Sequence, residues 1–371
     1  MALIEFRGAL IEEREANILR EIEKYSKKEF LSKESIGTRS SMEFSVSDHH
    51  VVGIAFFRSE LPRLSESIGD LEFLSYLNLS HNKIQTFPES FFKLKHLEEL
   101  SLSTNNLDFL PDKLGNFKCL KELILFSNSL TSLPDSLKEC TSLEELHIDN
   151  NKFERLPEVI KELNSLKVLS ISENPLRHLP RFIGGMQNLQ FLVADTCSLK
   201  ELPESIGDLR SLKRLYVDIN KLQRIPDSIG KLQSLEILAL SHNELSVLPE
   251  SIGDLYSLQK LYLSNNKLKT FPLSIGNLKS LKFLIADRNQ IQYLPESIGN
   301  SINLKDIDLS RNNLKILPST ISNLTSLSHL DLEGNKLKSV PESITRLKCT
   351  VKYAGSHMNT SLLYKLVSGT N

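Results

Sequence analysis

Apolar residues recur along this chain with a period of 23 residues, and the stretch SLQKLYLSNNKLKTFPLSIGNLK at 257–279 is representative. Its apolar positions are Leu258, Leu261, Leu263, Leu268, Phe271, Ile275 and Leu278. The alternation around Leu261 and Leu263 predicts a short strand with one buried face. One such unit cannot bury its own leucines, so the pattern predicts units that stack on their neighbours.

Asparagine, proline and glycine divide each unit into segments. Asparagine recurs every 23 residues from Asn82 to Asn335, and its amide can pair backbone groups of adjacent coils that would otherwise be buried without partners. Proline recurs from Pro88 to Pro341 and favours the first position of a helical turn. The glycines four residues later predict a left-handed end to that turn; they are Gly207, Gly230, Gly253, Gly276 and Gly299. Each unit is therefore predicted to be a strand, a turn, and a short helical or 3-10 segment.

One cysteine, Cys197, interrupts the series of asparagines. A thiol can still donate weakly to a backbone carbonyl, so we interpret Cys197 as a structural substitute for asparagine. A reactive or metal-binding thiol would need an activating environment or partner residues, and the neighbouring sequence suggests neither. Cys140 takes the position that Leu94, Phe117 and Leu163 hold in neighbouring units, so it is predicted to be a core residue.

The pattern LxxLxLxxNxL followed by LPxSIGxL, with x variable, resembles the leucine-rich repeat. The match covers about 51–353 as roughly thirteen units, and the 23-residue form is similar to the intracellular Ras-group (Ras-suppressor-like) type. The resemblance implies an α/β solenoid of horseshoe shape, with a parallel concave sheet and short helical or 3-10 convex segments. It also implies that protein partners, among them small GTPases and signalling proteins, bind to the concave side.

We predict three parts: an N-terminal cap at 1–50, the repeat array at 51–353, and a C-terminal cap or cloning remnant at 354–371. Helical spacing of apolar residues predicts a helix over 2–28, and MEFSVS followed by DHH predicts a hairpin over 42–56. The helix is interpreted as part of the cap. The alternative is a partner helix or a membrane-surface anchor, and the acidic residues on its polar side argue against membranes.

The C-terminal end has two interpretations. The run Gly355-Ser356-His357-Met358 matches a common cloning remnant, which would make the last residues foreign to the natural protein. If these residues are natural, apolar side chains can supply a short capping helix, namely those of Leu362, Leu363, Leu366 and Val367.

Composition narrows the class of protein. The chain has 371 residues, 40% of them hydrophobic, and a formal net charge of −1, which is typical of a folded protein and argues against nucleic acid as a partner. The four cysteines form no CxxC pair, which favours a reducing compartment. Glu5 and Arg7 come too early for a secretory signal, and no apolar run is long enough to span a membrane. We therefore expect a cytoplasmic protein that does not bind membranes.

Motifs for catalysis are missing from the sequence, which contains no GxxxxGK, GxSxG or HExxH. His49 and His50 lie at a predicted turn without further ligands at zinc spacing, so they are expected to face solvent. Some repeat proteins carry a ubiquitin-ligase domain, but too little chain follows Cys349 to form one. We therefore predict no enzyme activity, no cofactor and no metal.

The solvent-facing strand positions differ along the array. Two positions per unit, those equivalent to Lys260 and Tyr262, should face water on the concave side. In the central units they are mainly apolar or aromatic, and a contiguous patch of this kind usually marks an interaction site. The predicted partner-binding residues of this patch are Val168, Phe191, Val193, Tyr216, Ile237, Tyr262, Phe283 and Ile285.

Carboxylates occupy one of these positions in earlier units. Glu99, Glu122 and Glu145 should stack on consecutive strands about 4.8 Å apart, where like charges repel. A basic segment of a partner would relieve this repulsion and would be attracted faster. These glutamates are therefore also predicted to bind the partner.

Both patterns also have a simpler interpretation. β-Branched and aromatic residues favour strands in any case, and glutamates keep a long protein soluble. Phe191 or Phe283 could compensate locally for the small core residues Ala194 and Ala286.

The sequence predicts a monomeric, non-catalytic protein–protein interaction scaffold, and the resemblance implies a role in intracellular signalling. The alternative is the ligand-sensing region of a larger effector, GTPase-linked or ubiquitin-ligase protein. Self-association through an end or through the apolar patch is a third hypothesis.

Overall fold

Short parallel strands and 3-10 helices alternate along most of the chain. The computed structural model describes residues 2–37, 42–61 and 63–368. The chain divides into unit 1, Met1–Pro175, and unit 2, Leu176–Asn371. Residues of the predicted caps and array that lie outside the described ones are 1, 38–41, 62 and 369–371.

Unit 1 begins with a hairpin, so the helix predicted over 2–28 is wrong in its first part. The elements are β1 (Leu3–Phe6), β2 (Ala9–Glu12) and helix α1 (Glu13–Ser26). The two strands pair antiparallel, and the helix starts only after them. Arg7 and Gly8 have positive φ, 52° and 84°, which is the backbone of a tight two-residue hairpin turn and stops a helix from forming.

A second hairpin follows, and the prediction over 42–56 is confirmed. The elements are β3 (Leu31–Ser32), β4 (Met42–Ser47) and β5 (His50–Phe56). Phe44 and Phe56 of the hairpin are fully buried, and the ring of Phe30 packs edge-to-face against both. β5 pairs in parallel with the strand Tyr76–Asn78 of the next coil, so the hairpin covers the start of the array.

The rest of unit 1 repeats one coil. Each coil has a three-residue strand that pairs in parallel with its neighbours, so every strand residue lies beside the residue 23 positions further along the chain. The strands are β6 (Tyr76–Asn78), β7 (Glu99–Ser101), β8 (Glu122–Ile124), β9 (Glu145–His147) and β10 (Val168–Ser170). The 3-10 helices are Glu66–Asp70, Glu89–Lys93, Asp112–Asn116, Asp135–Glu139 and Glu158–Glu162.

Unit 2 has the same coil and ends in a hairpin and a helix. Its strands are β11 (Phe191–Val193), β12 (Arg214–Tyr216), β13 (Ile237–Ala239), β14 (Lys260–Tyr262), β15 (Phe283–Ile285), β16 (Asp306–Asp308), β17 (His329–Asp331), β18 (Thr350–Tyr353) and β19 (Ser356–Asn359). β18 and β19 pair antiparallel, and the others pair in parallel. The 3-10 helices are Arg181–Gly185, Glu204–Asp208, Asp227–Lys231, Glu250–Asp254, Leu273–Asn277, Glu296–Asn300, Ser319–Asn323 and Glu342–Arg346.

The short C-terminal helix considered from the sequence is present as α2 (Thr360–Ser368). The Thr360 hydroxyl donates to the carbonyl oxygen of Leu347 at 2.8 Å, which joins the start of the helix to the last coil. Leu363 is fully buried, whereas Leu362 and Leu366 are about half exposed. Among the described residues, no helix has the length and apolar character that crossing a membrane requires.

Buried asparagines connect neighbouring coils. In unit 1, Nδ2 of Asn105 donates to the carbonyl oxygens of Leu102 and Ser103 in its own coil, at 3.0 and 3.2 Å. It also donates to the carbonyl oxygen of Leu79 at 2.9 Å, while Oδ1 accepts from the backbone N–H of Ile84 at 3.0 Å. One side chain therefore pairs backbone groups of two coils, which confirms the role predicted for the asparagines.

Cys197 takes the asparagine position in unit 2 and is fully buried. Its Sγ donates to the carbonyl oxygen of Asp195 at 3.4 Å, as Nδ2 of Asn220 donates to Asp218 in the next coil at 3.0 Å. These contacts agree with the structural interpretation of this cysteine. Cys140 is buried, as predicted, and burial raises the pKa of its thiol to about 11.

The prolines stand one residue before the predicted position. Pro203 is the N-cap of the 3-10 helix Glu204–Asp208, and its carbonyl oxygen accepts from the N–H of Ile206 at 2.9 Å. Its ψ of 150° is extended. The prediction of proline inside the first turn was therefore wrong, because the residue ends the extended segment and the helix begins after it.

The glycines of the 3-10 helices do not have positive φ, so the predicted left-handed end of the turn is wrong. These glycines are required by the close approach of successive coils. A Cβ at Gly207 would lie 2.1 Å from the carbonyl oxygen of Ser228, and one at Gly253 would lie 2.4 Å from that of Ser274. The corresponding distances are 2.5, 2.2 and 2.4 Å for Gly230, Gly276 and Gly299.

Ile219 in unit 2 has an unfavourable backbone conformation for its residue type. Its φ is 53° and its side chain is 55% exposed, whereas β-branched residues rarely adopt positive φ. Asparagine tolerates this conformation, so Ile219→Asn should raise the free energy of unfolding, measured in urea, by about 1 kcal/mol. Arg311→Asn, at the equivalent position with the same φ of 53°, is the matched control. Equal gains from both substitutions would contradict an effect of strain at Ile219.

Candidate functional site

Solvent-facing strand residues of unit 2 form a surface that we call the apolar strip; it consists of Phe191, Val193, Tyr216, Ile237, Tyr262, Phe283 and Ile285. The middle residue of each strand is buried, as Leu192 is in β11 and Leu261 in β14. The strip residues on either side of these leucines are half-buried. The alternation of each strand therefore places these apolar side chains on the solvent side of the sheet.

One row of the strip is continuous across the strands. Val193 lies beside Tyr216, and Tyr262 lies beside Ile285. Between the two tyrosines is Ala239, which pairs with both and is buried. The small side chain between two aromatic rings leaves a low point in the row, where an apolar side chain of a ligand could pack.

Two cations lie in the other row of the strip. The guanidinium of Arg214 is 4.9 Å from the ring centroid of Phe191, and Nζ of Lys260 is 5.4 Å from that of Phe283. Ile237 lies between Arg214 and Lys260 in the register. This row therefore combines apolar and positively charged groups, and the cation–π contacts were not predicted from the sequence.

The simpler interpretation of the two phenylalanines is not supported by the geometry. Ala194 and Ala286 are fully buried, whereas Phe191 and Phe283 are half-buried on the solvent side of their strands. Residues three positions apart in an extended segment point to opposite sides. The rings therefore do not fill the space beside the alanines.

The strands of unit 1 carry a second group, which we call the acidic stack: Glu99, Glu122 and Glu145. Parallel pairing sets these glutamates side by side on β7, β8 and β9. Burial, and then the neighbouring charges of Glu145 and Glu99, raise the pKa of the Glu122 carboxyl. Val168, on β10, lies beside Glu145 of β9 and is half-buried.

Glu122→Gln should stabilise the protein at neutral pH. The folded state raises the pKa of Glu122, so the ionised carboxylate is the less favourable form in the folded protein. The penalty is absent below the ordinary glutamate pKa of about 4.3 and appears as the pH rises through the raised pKa. Because the side chain is partly exposed, we expect a gain of less than about 1 kcal/mol in urea titrations at neutral pH. A gain of equal size in acid would contradict this explanation.

His50 is only partly exposed, so the prediction that it faces solvent is wrong. Its ring packs on Phe73 with centroids 3.9 Å apart, and its Nδ1 lies 3.2 Å from Oε1 of Glu15. Glu15 is buried and its other oxygen accepts from the backbone N–H of Val51 at 2.7 Å. The carboxylate therefore holds the start of β5, and the histidine is covered as a consequence. His49 is exposed, as predicted.

Part of the acidic stack has the spacing that a metal ion needs. Ligand atoms of Glu122, Glu145 and His147 lie within 4.8 Å of one another, and Nε2 of His147 is 3.5 Å from Oε2 of Glu145. Carboxylate oxygen and imidazole nitrogen are ligands that Zn²⁺ accepts. No sequence motif marks this group, because Glu122 comes from a different coil from Glu145 and His147. A second group with this spacing is Glu12, Glu15 and His50.

Exposed apolar residues outside the strands were not predicted from the sequence. In unit 2 these include Val247, Leu273, Tyr293 and Ile316, which are 49% to 70% exposed. Val247, Tyr293 and Ile316 each precede a Leu-Pro pair and are therefore at one position of the coil. This recurrence in the sequence could have predicted that these residues share one exposed position of the coil.

Family models match most of the repeats. One described as a leucine-rich repeat region matches residues 54–158 and 151–244. Others, described as leucine rich repeats, match residues 294–337, 234–255 and 257–278. The chain belongs to the leucine-rich repeat family, whose members generally mediate protein–protein interaction.

Solved structures agree with this assignment. A leucine-rich repeat protein of Leptospira interrogans is 37% identical, with 78% of this chain and 75% of that chain covered and a TM-score of 0.74. The PEPR1–AtPEP1 structure is 30% identical, with 84% and 46% covered and a TM-score of 0.67. The plant peptide hormone receptor RGFR1 in complex with RGF2 is 27% identical, with 88% and 65% covered and a TM-score of 0.50. The comparison with curated proteins found no match.

Proposed function

We propose that the chain is a non-catalytic recognition protein that binds a protein partner on the apolar strip of unit 2. The observation that carries the proposal is the row formed by Val193, Tyr216, Tyr262 and Ile285, which is half-buried at strand positions that face water. Contiguous exposed apolar residues usually mark an interaction site, and tyrosines are frequent anchors in such sites.

The form of the strip favours an extended or flat polypeptide surface as the ligand. The low point at Ala239 lies between Tyr216 and Tyr262, so it can accept one apolar side chain between two aromatic walls. Arg214 and Lys260 stand in the adjacent row and can pair with acidic groups of the same ligand. We therefore expect a partner segment that combines an apolar anchor with acidic residues.

Related arrays support a polypeptide ligand. RGFR1 is a peptide hormone receptor in complex with RGF2, and this chain spans 65% of it. It spans 46% of the matched chain in the PEPR1–AtPEP1 structure. The intracellular Ras-group type, a small GTPase partner, a signalling role, a monomeric state and a cytoplasmic location stay predictions from the sequence and its resemblance.

Replacing Tyr216, Tyr262 and Phe283 together with aspartate should abolish partner capture, because it puts three charges into the apolar strip. The melting temperature should change little, since these side chains lie outside the leucine core. Affinity purification from the native cells with quantitative mass spectrometry measures the capture.

The matched control places the same three aspartates on exposed apolar residues outside the strands. These are Tyr256, Tyr293 and Ile302, which are 57%, 51% and 51% exposed. The control variant should capture the partner as the wild type does. Capture that survives in the strip variant, or that is lost equally in both variants, would refute the proposal.

A further inference from the structure

A cavity of about 760 Å³ lies on the strand-bearing face of unit 1. Its lining includes Phe57, Tyr76, Glu99, Glu122 and Phe126. None of these residues belongs to the apolar strip of unit 2. The cavity is therefore a separate candidate for recognition.

Within the described part of unit 1, the carboxylate of Glu98 forms a salt bridge with a lysine, whereas the two carboxylates that line the cavity form none. Oε2 of Glu98 lies 2.7 Å from Nζ of Lys121 on the next coil. Glu99, the next residue, lines the cavity beside Glu122, and neither forms an ion pair within the described part of the chain. The two negative charges inside the cavity are thus left without a positive partner from unit 1's own strands.

Aromatic rings add to the attraction for a cation. Tyr76 pairs with Glu99 in the register, and the ring of Phe126 is 40% exposed in the same cavity. Phe57 already has the guanidinium of Arg58 at 5.3 Å from its centroid. Aromatic faces attract cations and pack well against the aliphatic stems of lysine and arginine. The lining contains two carboxylates, those of Glu99 and Glu122, and one guanidinium, that of Arg58, so its net charge is negative.

We propose that this cavity binds a lysine or arginine side chain of an extended polypeptide segment. Glu99 and Glu122 hold the charge of that side chain, and Tyr76 and Phe126 contact its stem. The inference rests on the proposed function in one respect, namely that the ligand is a polypeptide. It uses different residues on a different unit and is tested separately.

The test uses a synthetic fluorescein-labelled peptide of alternating alanine and lysine and the same peptide with every lysine acetylated. Fluorescence anisotropy at about 0.15 M salt limits long-range attraction between charges. The lysine peptide should bind the wild-type protein at least about tenfold more tightly than the acetylated one. The variant Glu99→Gln/Glu122→Gln should bind the lysine peptide at least about tenfold more weakly than the wild type does.

The matched control is Asp108→Asn/Glu154→Gln, which removes two exposed carboxylates of unit 1 and changes the net charge equally. It should bind the lysine peptide as the wild type does. The Glu99→Gln/Glu122→Gln variant relieves repulsion in the stack, so it should melt no lower than the wild type, and unfolding cannot explain its loss of binding.

Three results would overturn the inference. The first is unchanged binding in the Glu99→Gln/Glu122→Gln variant, and the second is an equal loss in the control variant. The third is binding of zinc chloride at one ion per chain that His147→Ala abolishes, with no affinity for the lysine peptide in zinc-free buffer. That result would assign the carboxylates to a metal. None of these outcomes changes the capture experiment on the strip of unit 2, so the two proposals can fail independently.

Discussion

Gly184→Ala should destabilise unit 2 by about 3 kcal/mol, the upper range for a side chain forced into a packed site. A Cβ at Gly184 would lie 2.3 Å from the carbonyl oxygen of Ser205 and 2.8 Å from its Cβ. The carbonyl belongs to the backbone of the next coil, so the contact can be relieved only by moving the coils apart. Urea unfolding followed by circular dichroism measures the loss.

The adjacent glycine supplies the control within the same 3-10 helix. A Cβ at Gly185 would meet nothing within 4 Å, and its φ is not positive. Gly185→Ala should leave stability unchanged or raise it by up to about 1 kcal/mol, because alanine restricts the unfolded chain. Similar losses from both substitutions would show that the close approach of the coils is not the reason for glycine.

Asn266→Ala should cost roughly 3 kcal/mol, because it leaves several buried backbone groups without partners at about 1–3 kcal/mol each. Nδ2 of Asn266 donates to the carbonyl oxygens of Leu240 and Leu263 at 2.9 and 3.1 Å. Its Oδ1 accepts from the backbone N–H of Leu245 at 2.9 Å. No water can reach these groups without opening the coil, since Asn266 is 7% exposed.

Asn277→Ala is the matched control for this prediction. Asn277 is an exposed asparagine at the end of the 3-10 helix Leu273–Asn277 in the same unit. Its replacement should change the free energy of unfolding by less than about 0.5 kcal/mol. If Asn266→Ala were equally mild, the hydrogen bonds of the buried asparagines would not hold the coils together.

The strands, the asparagine contacts and the placement of the core were predictable because each signal lies within one coil or recurs at the fixed interval of 23 residues. The alternation around Leu261 is enough to predict a strand, and the recurrence of Asn266 at a fixed interval predicts its shared role. One feature, the recurring glycine, was given a local explanation that is wrong. The glycines were interpreted as the ends of helical turns. They are required because a backbone carbonyl of the next coil leaves no room for a Cβ, as the carbonyl of Ser205 does at Gly184.

The N-terminal hairpin shows a different limit. The spacing of Phe6 and Leu10 fits one face of a helix. The spacing of Ala9 and Ile11, two residues apart, fits one face of a strand equally well. Positive φ at Arg7 and Gly8 decides between them, and a single Arg-Gly pair is a weak turn signal. Short apolar runs of this kind carry too little periodicity to distinguish the two structures.

The positions of the candidate surface residues were predictable from the sequence, but the contacts between their side chains were not. Alternation placed Phe191 and Phe283 on the solvent side, and the period placed them on a common row. The cations over their rings required the register, which sets Arg214 beside Phe191 and Lys260 beside Phe283. The cavity of unit 1 also required it, since its lining comes from several coils.

The most direct test of the apolar strip as a binding surface is photo-crosslinking from the strip itself. Benzoylphenylalanine replaces Tyr262 in one protein and Tyr256, 57% exposed outside the strands, in the other. Irradiation in lysate of the native cells should join a discrete partner to position 262 and not to position 256. Crosslinks of the same partner from position 256 alone, or from both positions equally, would contradict recognition by the strip.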